Sequence, residues 1–196
     1  MRKSALLTAA VLTLAATPAF AHLNPAEHGS FAAGFSHPLF GADHILAMVA
    51  VGLWATLLGG RALWLVPAAF VATMMAGFML ALAGAPLPFV EPVILASVVA
   101  IGLLAAIALD VPTSAAMAMV GFFALFHGHA HGGEMGSAGA AAYGLGFALA
   151  TAALHAAGIG IGLGMPRLFG GDMGRIVARL AGGATALAGL WLVVAG

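Results

Sequence analysis

The sequence predicts an all-α integral membrane protein, a bundle of about six transmembrane helices after a cleavable signal peptide. Composition is the first reason: 63% of the 196 residues are hydrophobic and 6% are charged, against roughly 25% charged in a soluble domain. The second is the spacing of helix breakers, which cuts the chain into apolar runs of about 20 residues, the length a bilayer requires. The third is glycine, at 28 residues, as expected where helices approach closely in lipid.

Residues 1–21 read as the signal peptide. Arg2 and Lys3 form a positive n-region, Ala5 to Ala16 an apolar h-region, and Ala19-Phe20-Ala21 a small-residue cleavage site. Cleavage there makes His22 the first residue of a six-helix transmembrane domain, 22–196. Its spans are expected at Leu39 to Leu58, Ala62 to Ala83, Pro92 to Leu109, Thr113 to Ala130, Ser137 to Leu163 and Ile176 to Ala195. Gly59-Gly60-Arg61, Gly84-Ala85-Pro86 and Asp110-Val111-Pro112 separate the earlier ones.

With His22 outside, the connections after spans one, three and five are cytoplasmic. Arg61, Arg167, Arg175 and Arg179 then all fall in or beside cytoplasmic connections, as the positive-inside rule requires. The expected location is the inner membrane of a bacterium, multi-pass, with a periplasmic mature N-terminus. Six acidic residues balance six basic ones, so a nucleic-acid partner is not expected. Without cysteine there is no disulfide, thiolate site or iron–sulfur cluster. No G-x-x-x-x-G-K-[ST] run is present, so ATP hydrolysis by a P-loop is not expected.

Against this apolar background stand two clusters of histidine and carboxylate. One is His37-Pro-Leu-Phe-Gly-Ala-Asp43-His44; the other is Phe126-His127-Gly-His129-Ala-His131-Gly-Gly-Glu134. Polar groups of this kind are costly inside a membrane and mark pathways or sites. His127, His131 and Glu134 recur at helical spacing and share one face. His44 and Met48 are likewise four apart. Asp43 points about 100° from His44 on an ideal helix, and Pro38 with Gly41 suggests a loosened first turn that directs His37 inward. His129 points off the His127/His131 face, and Glu91 opens span three at the same membrane depth as both clusters. His155, deep in span five, reads equally as a hydrogen-bond partner of the site or as a ligand along a path. The terminal amine and imidazole of His22, with His28 nearby, could chelate an ion before the membrane. Nitrogen and oxygen donors without thiolate favour Ni²⁺, Co²⁺, Zn²⁺ or Cu²⁺, and spacing alone leaves these four open. No resident cofactor is expected.

The two motifs resemble those of the HupE/UreJ family of nickel and cobalt permeases, whose pattern is H-P-x-x-G-x-D-H in an early helix and F-H-G-x-A-H-G-x-E in a later one. Every fixed position is matched here, and the resemblance extends over nearly the whole chain. It implies import of Ni²⁺, or Co²⁺, to supply hydrogenase or urease maturation, with no enzymatic activity. It carries ligand or pathway roles to His37, Asp43, His44, Glu91, His127, His131 and Glu134, and leaves His129 open. Coupling ion, client enzyme and homo-oligomer formation stay open. A competing reading is a haem-binding membrane oxidoreductase in which His127 or His131 pairs with His155 across two helices; it requires axial histidines at matched depth, and His155 lies toward the cytoplasmic half. A hydrolase reading is weak, because no H-E-x-x-H is present.

Overall fold

The computed structural model describes residues 30–133 and 139–195. Among them are seven helices: α1 (Phe31–Phe40), α2 (Ala42–Leu58), α3 (Ala62–Leu82), α4 (Val90–Ile107), α5 (Thr113–Gly133), α6 (Ala140–Phe169) and α7 (Gly171–Ala195). No strand occurs among the described residues. The expected signal peptide, together with His22 and His28, lies outside the described residues, as does Glu134.

Helices α3, α4, α6 and α7 are long and apolar enough to cross a membrane, and α1 with α2 adds a fifth span if the bent pair is taken as one. The chain is therefore a multi-pass membrane protein. Helix α5 is as long as α3, at 21 residues, but falls short in apolarity because three histidines occupy its last two turns. Outward-facing side chains such as Leu103, Phe122, Leu149, Leu187 and Trp191 are exposed, which suits a surface solvated by lipid rather than water.

The first expected span is corrected. The chain is already helical at Phe31, started by Ser30, whose hydroxyl accepts from the Ala33 N–H at 3.0 Å. It breaks at Gly41, which is extended (φ −85°, ψ 117°), and turns 83° into α2. Pro38, inside α1, cannot donate to the helix ladder, and the break follows three residues later. His37 therefore sits on a separate short helix rather than in a loosened first turn of α2. At the other end, α6 continues to Phe169 and α7 starts at Gly171, so the expected loop is reduced to Gly170, with φ 84°. Pro166 is accommodated within the last turn of α6.

Helix α2 is the central element: Ala47, Met48, Ala50, Val51, Leu53, Trp54 and Ala55 are all buried. Around it α3 packs on α5, α4 on α7, and α6 on both α1 and α2. Glycines make these seams close. A methyl group on Gly128 would strike the Met74 carbonyl and one on Gly77 the Leu125 carbonyl, both across the α3–α5 seam. Gly52 and Gly158 play the same part between α2 and α6, and Gly102 and Gly182 between α4 and α7. Small residues of this kind let helix backbones touch where lipid offers no hydrophobic driving force.

The helices alternate in direction, which places the ends. Trp54 Nε1 donates to the Leu109 carbonyl at 3.0 Å, joining the end of α2 to the end of α4. Arg179 Nε donates to the Ala106 carbonyl at 2.9 Å. Arg167 and Arg175 line a cavity of about 370 Å³ with Thr56 and Leu57. The arginines thus occupy one end of the bundle, and the start of α2 and the end of α5, with their histidines, occupy the other.

Candidate functional site

Four imidazoles from three helices meet at the end opposite the arginines. His37 comes from α1, His44 from the first turn of α2, and His127 and His131 from the last turns of α5. Ring centroids are 4.4 Å apart for His37 and His131, 4.7 Å for His44 and His131, 5.1 Å for His44 and His127, and 5.9 Å for His37 and His44. The closest approach joins the two sequence motifs directly: His44 Nε2 and His131 Nε2 are 2.6 Å apart, within a hydrogen bond. His127 is wholly buried, and His44 and His131 are nearly so.

Neighbouring groups fix which nitrogens carry protons. Asp43 Oδ2 accepts from His44 Nδ1 at 3.0 Å, so in neutral His44 the Nε2 lone pair faces His131, whose Nε2–H donates. The carboxylate is thus folded over its neighbour, contrary to the divergence expected of adjacent helical positions. A carboxylate on the far nitrogen is the usual support of a metal-binding imidazole. The Ser97 hydroxyl donates to the Ile94 carbonyl at 2.6 Å, so its oxygen accepts from His127 Nε2 at 2.9 Å. That leaves the Nδ1 lone pair of His127 buried with no hydrogen-bond partner.

An aromatic collar surrounds the cluster. The Phe147 ring lies 4.7 Å from His131, Tyr143 6.4 Å from His37, and Phe70 5.8 Å from His127. Phe78 stacks on Tyr143 at 6.2 Å. Ser97, Phe70, Tyr143 and Phe147 were not legible as site residues, because a lone serine or phenylalanine in an apolar helix carries no spacing signal. Helix α1 reaches the cluster because Gly34 lies against the Tyr143 backbone and Gly146 against that of Phe31 and Phe35.

The other expected residues lie apart. His129 Nε2 donates to the Ala85 carbonyl at 2.7 Å, tying α5 to the turn after α3. Glu91 is in the first turn of α4, exposed, at the same end of the bundle. Met48 is 0% exposed and belongs to the apolar core. His155 is 1% exposed, deeper in the bundle, with its ring 5.0 Å from Phe70. The Phe70 ring contacts both His127 and His155, so the interval a haem would need between these two histidines is filled. Among the described residues no three His, Asp or Glu side chains are already disposed to hold a metal ion.

A multi-pass bundle that gathers imidazoles from two distant segments into one end defines a membrane protein with a polar, nitrogen-rich site. Comparison with known proteins makes this specific. The sequence model of the HupE / UreJ protein family matches residues 10–192. Protein HupE of Rhizobium leguminosarum bv. viciae is 46% identical over 185 residues, covering 93% of this chain and 95% of that protein. The chain belongs to the HupE / UreJ family. No solved structure matches it.

Proposed function

We propose that the chain is a permease carrying a divalent transition-metal ion, Ni²⁺ or alternatively Co²⁺, from the periplasm across the bacterial inner membrane, in support of hydrogenase or urease maturation. The observation that carries this reading is the 2.6 Å approach of His44 Nε2 to His131 Nε2, which joins the two metal-ligand motifs of the sequence. On this reading α5 also crosses the bilayer, giving six spans with the bent α1–α2 pair counted once. The arginine end is cytoplasmic by the positive-inside rule, so the histidine end opens to the periplasm.

The chemistry follows from the donors. A first-row divalent ion holds imidazole nitrogen at about 2.0–2.1 Å, so two such ligands at right angles stand about 2.9 Å apart. His44 and His131 therefore need to part by only about 0.3 Å, and the His131 proton to move from Nε2 to Nδ1, for both Nε2 lone pairs to face one metal ion. Asp43 stays on the far nitrogen of His44, holding the ring's orientation. His37, on its own helix, supplies a third imidazole, and Glu91 a carboxylate at the same end; Glu134 is the carboxylate that the second sequence motif adds. The inside-negative potential drives a cation inward, at about 2.3 kcal/mol per charge per 100 mV.

Uptake of radioactive Ni²⁺ and Co²⁺ by cells expressing the wild type, His37→Ala, Asp43→Ala and His131→Ala tests the proposal. Uptake is expected to fall at least about tenfold in each variant, the loss typical of a ligand or its support. Uptake equal to wild type in all three would contradict it.

A further inference from the structure

His155 stands outside the cluster and has no structural explanation of its own. It is 1% exposed in the middle of α6, and neither Nδ1 nor Nε2 has a hydrogen-bond partner. A buried imidazole without partners is destabilising by comparison with an apolar side chain of like volume. In a membrane bundle such a residue marks a route rather than a support.

Its depth follows from two helices independently. On α6, Phe147 touches His131, and His155 lies eight residues further on. On α2, Gly52 packs against the His155 backbone and lies eight residues beyond His44. At 1.5 Å per residue both place His155 about 12 Å below the His44–His131 pair. His127 precedes His131 by one turn on α5 and lies about 6 Å below it. The imidazoles therefore descend in steps of about 6 Å, and the Phe70 ring touches both lower ones. One turn before His155 on α6, the Thr151 hydroxyl meets the Met74 sulfur at 3.6 Å, a further soft polar contact beside the column. His127 itself presents an unpartnered Nδ1.

We infer that His155 is a second, inner resting site for the transported divalent cation, reached from His127 past Phe70. This rests on the transport reading above and adds a residue that neither sequence motif contains. The ion leaves the outer imidazoles for His127, whose Nδ1 lone pair is available while Ser97 holds Nε2–H. It then engages a ring nitrogen of His155 two turns below the point of capture. Without His155, the ion would cross the lower half of the bundle with no nitrogen ligand along α6.

The test is Ni²⁺ uptake into cells expressing the full chain, normalised to the amount of folded protein in the membrane, for wild type, His131→Ala and His155→Leu. Because capture occurs above His155, its loss is expected to lower maximal uptake by about fivefold or more while the half-saturating Ni²⁺ concentration shifts by less than about twofold. The purified His155→Leu protein is expected to melt at a higher temperature than wild type, since leucine replaces a buried imidazole without partners; a merely structural histidine would give the reverse, lower melting with normal uptake. A fall in maximal uptake of less than about fivefold overturns the inference. If His155→Leu does not accumulate, His155→Gln is judged by the same threshold. Absence of uptake by wild type relative to His131→Ala would instead overturn the transport reading, and this inference with it.

Discussion

Asp43 and Ser97 each settle the proton on a neighbouring imidazole, and this makes the site more than a collection of histidines. Ser97 is the clearer test. Its removal leaves His127 Nε2–H buried without an acceptor, a loss of about 1–3 kcal/mol, and frees the ring to turn. Ser97→Ala is expected to raise the half-saturating Ni²⁺ concentration about tenfold, the effect of deleting a group that orients a metal-binding histidine. His129 gives the contrasting case, because its bond to the Ala85 carbonyl spans α5 and the turn after α3. His129→Ala is expected to lower stability by about 1 kcal/mol and leave Ni²⁺ uptake near wild type, measured by thermal melting and uptake in parallel. Sequence spacing already set His127 and His131 on one face and His129 off it. It could not reveal Ser97, whose meaning depends on the packing of α4 against α5, nor the inward fold of Asp43 over His44.

Helix boundaries were legible wherever glycine or proline sat beside a polar residue, and less so elsewhere. The ends of α2 and α3 fall at Gly59 and beside Gly84 as expected. The start of α1 was missed, because Phe31 to Phe40 is too short to register as a span and the break at Gly41 is a local backbone event. The continuation of α6 through Pro166 was missed too, since proline forfeits only the one bond its N–H would make and three more residues complete the helix after it. Helix α4 ends with the Leu109 N–H on the Leu104 carbonyl and the Ala108 N–H on the Ala105 carbonyl. This leaves Ala108 left-handed, at φ 50°, where glycine is the favoured residue. Ala108→Gly is expected to stabilise the protein by about 1 kcal/mol, read as a higher melting temperature. At the α3–α5 seam the sign reverses. Gly128→Val must push Met74 and its backbone away, and is expected to cost more than about 3 kcal/mol and deplete folded protein from the membrane. Gly133→Ala, with open space around it, is expected to be tolerated.

The whole molecule separates its polar groups by end, with four imidazoles at one and the arginines at the other, and His155 buried between them. The membrane class was written in composition, and the convergence of the two motifs was foreshadowed by the alternation of helices. The 2.6 Å contact itself needed the fold.

The most direct test of the account is a double-mutant cycle on Ni²⁺ binding to purified protein, using His44→Ala, His131→Ala and the two combined. If both imidazoles hold one ion, each single change weakens binding about tenfold or more and the pair together weakens it little further, a coupling of at least about 1 kcal/mol. Losses that simply add would show that the two motifs act on separate ions, and would contradict a shared site.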